Sequence, residues 1–79
     1  KTTHYIPENN VYVYFRHNEN ESIMIIINNS NEKQTFKTDR FQENILNYTT
    51  GKDVISDKTL DLKKEITIDA KSSMILELK

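Results

Sequence analysis

Cysteine and tryptophan are absent from these 79 residues, and glycine and proline occur once each. Without thiols the chain has neither a disulfide framework nor a thiolate metal site to stand in for a core, so packing alone must hold it, and the redox compartment stays open. A single glycine cannot build the glycine-rich loops that let backbone approach a phosphate, which excludes nucleotide binding in its usual forms. Charge of one sign is lacking too: 11 Lys and Arg face 12 Asp and Glu, for a formal net charge of −1. The two signs are interspersed, leaving no broad positive field for phosphates and no polybasic arm for anionic lipid, which argues against nucleic acid and membrane as partners. The longest apolar run covers residues 23–27, far short of the ~20 residues that cross a bilayer as a helix. No leader or initiator methionine opens the chain at Lys1, and a segment of something longer is expected.

What the chain does have is alternation. Val11-Tyr12-Val13-Tyr14-Phe15-Arg16 puts branched and aromatic residues at a period of two, the spacing at which side chains leave opposite faces of a strand. Ile23-Met24-Ile25-Ile26-Ile27 follows after the polar connection Asn18-Glu19-Asn20-Glu21, a length suited to a hairpin, and is apolar whichever way it points. Shorter strands are read at His4-Tyr5-Ile6 before Pro7, at Gln34-Thr35-Phe36-Lys37, and over residues 52–55, 60–62, 66–68 and 74–78, separated by Asn-rich turns as in an antiparallel meander. Asp39 at a possible N-cap, with Gln42 three residues on and Phe41 and Ile45 at helical spacing, reads as a helical turn or two bridging one sheet to the other. Gly51, after Thr50, is read as a turn residue free to take positive φ.

About eight short strands with hardly any helix predict an all-β fold, a two-sheet antiparallel β-sandwich in one domain over residues 1–79. The expected core is Val11, Val13, Phe15, Ile23, Ile25, Ile27, Phe36, Phe41, Val54, Leu62, Ile66, Ile68, Met74, Leu76 and Leu78, each worth ~1.5–3 kcal/mol when fully buried. Tyr12, Tyr14, Met24, Ile26 and Ile75 form the opposite-face set, more apolar surface than one small domain hides, and are expected against a neighbouring domain.

Catalytic constellations are scarce. No Gly-x-Ser-x-Gly elbow exists, and no motif brings His4 or His17 to a serine, so no catalytic residue is assigned. Glu19 with Glu21, Asp57 with Asp61 and Glu65 with Asp69 fall in or beside turns and read as solvated surface charge. Asp53, Asp57 and Asp61 recur by four, which is not the calcium-loop spacing, so no metal ligand and no cofactor is assigned. Three Asn-x-Ser/Thr sequons begin at Asn20, Asn28 and Asn47, as an asparagine-rich sequence generates by chance. Tyr5, Tyr12, Tyr14 and Tyr48 offer rings that could stack on sugars, although strand packing is the commoner use of tyrosine.

His4-Tyr5-Ile6-Pro7-Glu8-Asn9, the Tyr-Val-Tyr-Phe-Arg run at residues 12–16, residues 24–28, Asp39-Arg40-Phe41, Gly51-Lys52-Asp53-Val54 and the closing segment from Ala70 to Leu78 together resemble the C-terminal domain of family 13 glycoside hydrolases, nearest the cyclomaltodextrinase and neopullulanase group. The resemblance covers nearly the whole chain. It implies a noncatalytic β-sandwich following a (β/α)₈ barrel that carries the catalytic carboxylates, in a parent that hydrolyses α-1,4-glucosidic bonds of cyclodextrin, pullulan or maltooligosaccharides. The catalytic barrel of the same chain is then the expected partner, with His4, Tyr12, Tyr14, Met24, Ile26 and Ile75 at the contact. Other readings of the same residues are an α-glucan-binding module using exposed tyrosines and a free-standing assembly sandwich. The resemblance also implies export to a bacterial periplasm, with a cytoplasmic parent as the alternative.

Overall fold

Hairpins build most of the chain. Strands β1 (Thr2–His4) and β2 (Val11–His17) are joined by a turn in which Asn9 and Asn10 both take positive φ, 52° and 62°, a region asparagine tolerates better than most residues. Glu8 and Val11 exchange backbone hydrogen bonds across that turn. The first strand lies two residues earlier than expected, although Tyr5 N still donates to Val13 O at 3.2 Å. Strands β3 (Ser22–Asn28), β4 (Gln34–Phe36), β5 (Thr50–Asp53), β6 (Thr59–Asp61), β7 (Ile66–Ile68) and β8 (Ser72–Leu78) follow. The computed structural model, which describes residues 2–79, arranges them as a six-stranded antiparallel sheet in the order β1-β2-β3-β8-β5-β6 and a two-stranded sheet pairing β4 with β7. This is the all-β two-sheet architecture that alternation predicts, but not a simple meander: the closing strand β8 inserts beside β3.

A 3₁₀ turn (Thr38–Phe41) running into the single-turn helix α1 (Gln42–Ile45) carries the chain from the small sheet to the large one. Asp39 is not its cap. Lys37 holds that position without a side-chain hydrogen bond, and the segment is fixed instead by Thr38 Oγ1 donating to Leu62 O at 2.7 Å and by burial of Phe41 and Ile45. Gly51 is also corrected. It lies within β5 at an ordinary φ, and a Cβ there would stand 3.2 Å from Leu76 Cβ and 3.3 Å from Leu62 Cδ2, so close packing rather than turn geometry calls for glycine.

The core differs from expectation on one strand. Val11, Val13 and Phe15 of β2 point inward as predicted, together with Phe41, Leu62, Ile66, Ile68, Leu76 and Leu78, but β3 contributes Met24 and Ile26, both fully buried, while Ile23, Ile25 and Ile27 stand half-buried on the other face. The four-residue connection explains this. An even number of loop residues pairs odd positions of β2 with even positions of β3, Phe15 with Met24 and Val13 with Ile26, and directly paired residues share a face. Val54 is likewise outside the core at 48 % exposure, and Phe36 and Met74 are only partly buried at its margin, whereas Ile45 belongs to it.

Candidate interdomain face

The outer face of the large sheet, opposite the small sheet, carries half-buried apolar side chains in adjoining rows. Strand register sets His4 beside Tyr14, Tyr14 beside Ile25, and Ile25 beside Ile75. One step beyond β5, Val54 N donates to Ile75 O at 2.9 Å, so Val54 completes a row crossing five strands, roughly 19 Å at the ordinary strand spacing. A second row runs Tyr12, Ile27, Ser73 and a third Thr2, Arg16, Ile23, Glu77, Lys52. The centre is thus aromatic and branched aliphatic while one margin is charged, the layout of an interface with an apolar middle and a polar rim. His4 meets Tyr14 edge to face at 4.7 Å between ring centroids, holding the edge strand's ring in the same layer. Of the six expected contact residues, His4, Tyr12, Tyr14 and Ile75 share this face; Met24 and Ile26 are buried in the core and leave the set. Ile23, Ile25 and Ile27 take their place.

Asp53 fixes the end of that face. Its side chain is turned inward at 7 % exposure, with Oδ1 accepting from Ile55 N at 3.1 Å and Oδ2 from Ser56 Oγ at 2.9 Å. Burial by itself pushes the carboxyl's pKa up, but the hydrogen bonds from Ile55, Ser56 and the Ile75 backbone together outweigh it and hold the group below its ordinary value. The capped turn keeps Val54 against Ile75. Lys52, on the charged margin, pairs with Asp57 at 3.0 Å.

A polar network that sequence reading missed ties the helical bridge to the large sheet. Asn44 Nδ2 donates to Tyr5 OH at 2.7 Å, which turns Asn44 Oδ1 toward His17 Nε2 at 2.9 Å. His17 Nδ1 lies 2.8 Å from Ser22 Oγ, and Ser22 Oγ lies 2.6 Å from Tyr48 OH. Fold therefore brings His17 to a serine where no motif does, through the cross-strand pairing of His17 with Ser22. The contact is a clamp and not a nucleophilic site: Ser22 is 7 % exposed, its hydroxyl is shared with Tyr48, and the third member is an amide. Two of the four tyrosines are thereby used internally, leaving Tyr12 and Tyr14 on the open face. The sequon asparagine Asn28 is likewise internal, at 1 % exposure.

Residues 2–77 match the family described as the Cyclo-malto-dextrinase C-terminal domain. Among solved structures, the whole chain superposes on part of an AmyP variant crystallised with maltotriose, with a TM-score of 0.78 at 12 % identity. It spans 16 % of the length of that chain.

Proposed function

This chain belongs to the family of cyclomaltodextrinase C-terminal domains, and from that premise we propose that it is the noncatalytic closing domain of an α-glucan hydrolase. Its outer sheet face packs on the catalytic (β/α)₈ barrel of the same chain and stabilises it. The parent's substrates under this reading are cyclodextrin, pullulan or maltooligosaccharides; the maltotriose bound in the AmyP structure supports an α-glucan of that class. The observation that carries the reading is the row His4, Tyr14, Ile25, Ile75, Val54, with Tyr12, Ile23 and Ile27 beside it. Each 100 Å² of such surface removed from water is worth about 2.5 kcal/mol. A covalently attached neighbour also avoids most of the entropy cost that two free proteins incur on association.

Hydroxyl-radical footprinting followed by peptide mass spectrometry tests the contact. Tyr12 and Tyr14 are expected to label strongly in the isolated domain and weakly in the intact parent, with exposed Leu46, at 68 % exposure and outside this face, labelling in both. Equal labelling of the two tyrosines in both forms would remove the face as an interface.

A further inference from the structure

A cleft of about 310 Å³ opens where the small sheet stops short of the β1–β2 turn, on the side of the molecule opposite the face described above. Its volume lies at the low end of ligand pockets. The floor is apolar: Val11 and Val13 reach it from β2, and Phe36, half-buried at the end of β4, stands edge to face on Phe41 with ring centroids 5.9 Å apart. The rim is polar and built by three separate segments, Asn9 from the turn, Gln34 from β4 and Asp39 from the helical bridge. Gln34 is steadied by its Nε2 donating to Ser30 Oγ at 3.2 Å.

Arg40 closes one end and is engaged on several sides. Its Nε lies 3.1 Å from Glu8 Oε1, a guanidinium nitrogen donates to Ile6 O, and the guanidinium carbon stands 5.6 Å and 5.4 Å from the Tyr5 and Phe41 ring centroids. With Arg40 satisfied by Glu8, and Lys37 and Asp39 both on the rim, the formal charges around the cleft cancel. Neither an anion nor a cation finds a net field there. A neutral ligand with one apolar face and several hydroxyls fits better: the C–H groups of a pyranose ring carry partial positive charge toward the negative face of an aromatic ring, while its hydroxyls meet amide and carboxylate groups at the edge.

We propose that this cleft is a noncatalytic binding site for one end of an α-glucan chain, with Phe36 under a sugar ring and Gln34, Asn9 and Asp39 on its hydroxyls. The choice of α-glucan rests on the reading of the parent enzyme given above; the choice of a neutral sugar rests on the cleft itself. The site is distinct from the Tyr12 and Tyr14 surface, so the two sets of variants report separately.

The test is calorimetric titration of the intact parent chain, its catalytic nucleophile replaced, with maltoheptaose. Two binding events are expected, the weaker one losing at least about tenfold in affinity in Gln34→Ala and in Phe36→Ala, as removal of a polar or packing partner predicts. The tighter event should stay. Gln34→Ala removes only a rim amide, so it decides the matter if Phe36→Ala fails to fold. A single binding event, or a second event that Gln34→Ala leaves unchanged, overturns the proposal. Hydrolysis by the unmodified parent is assayed separately: a parent that leaves maltooligosaccharides uncut defeats the enzyme reading, while a second event sensitive to Gln34→Ala would still uphold the cleft as a glucan site.

Discussion

Asp53 illustrates how one side chain turns a burial cost into local order. A carboxylate directed into the inner side of a sheet is unfavourable unless its oxygens are satisfied, and here the first residues of the following turn satisfy them, Ile55 through its N–H and Ser56 through its hydroxyl. Because those bonds favour the charged form, the folded-state pKa lies below the ordinary value of 3.8. The stabilisation is therefore complete above the unfolded-state value and is lost as pH falls through the folded-state value. Asp53→Asn keeps one acceptor but presents an NH₂ to Ser56, and at neutral pH should cost about 1.5 kcal/mol, the usual worth of a hydrogen bond to a charged group. Urea unfolding of both proteins across the acid range should show this gap narrowing below pH 3.8; a gap constant with pH would mean that the ionised carboxylate is not what caps the turn. Gly51, two residues earlier, is constrained by the opposite kind of force, the nearness of Leu76 and Leu62.

At the scale of elements, the face of β3 that the preceding four-residue loop turns inward is locked there by the strand's ends. Its middle is apolar on both sides, so hydrophobic burial alone scarcely distinguishes Ile23, Ile25 and Ile27 from Met24 and Ile26. Ser22 and Asn28, at 7 % and 1 % exposure, do distinguish them. Asn28 Nδ2 donates to the carbonyls of Glu32, Ile68 and Asp69, and its Oδ1 accepts from the N–H and hydroxyl of Ser30. A one-residue slip would turn this network out to solvent and leave its partners unpaired inside. Asn28→Ala should destabilise the domain by roughly 2–3 kcal/mol, since buried carbonyls and Ser30 lose their partner. Chemical denaturation followed by tyrosine fluorescence would register this, and a loss under about 0.5 kcal/mol, as at an ordinary surface site, would show that the network does not hold the strand.

The same comparison explains what could be read without coordinates. Strands β2 and β8 disclosed their inward faces through the Val-Tyr-Val-Tyr order of residues 11–14 and the Leu-Glu-Leu order of residues 76–78, where a change of residue type marks a change of side. The Ile-rich β3 gave no such mark, and only the even length of its preceding loop carried the missing information. Of the five residues that alternation puts on the opposite face, Tyr12, Tyr14 and Ile75 stand there, and His4, expected from the family resemblance, pairs with Tyr14 beside them; Met24 and Ile26, which do not, both come from that unmarked strand. The His17, Ser22, Asn44, Tyr48 and Tyr5 network and the Phe36 cleft join residues far apart in sequence, and nothing in local pattern points to them.

For the molecule as a whole, a domain of this length hides only about 60 % of the surface its unfolded chain exposes, and this one leaves half-buried Tyr12, Tyr14, Ile23, Ile25, Ile27 and Ile75, with exposed Val54, together on a single sheet face. Such a face has two fates in water, coverage by the rest of the chain or contact with another copy. Ile25 and Ile75 lie directly opposite one another at its centre, on neighbouring strands, so the double substitution Ile25→Lys with Ile75→Glu places a complementary pair there and leaves the core untouched. The isolated domain carrying it should keep its far-ultraviolet circular dichroism and become less prone to associate in light scattering over a concentration series. The intact parent should respond in the opposite sense, losing several degrees of thermal stability as two charges are forced into a contact built for aliphatic groups. Opposite signs in the two settings are what a covered face requires: a parent whose melting temperature does not move would rule out this face as the proposed contact with the rest of the parent, and an isolated domain that unfolds would make these isoleucines part of its own core.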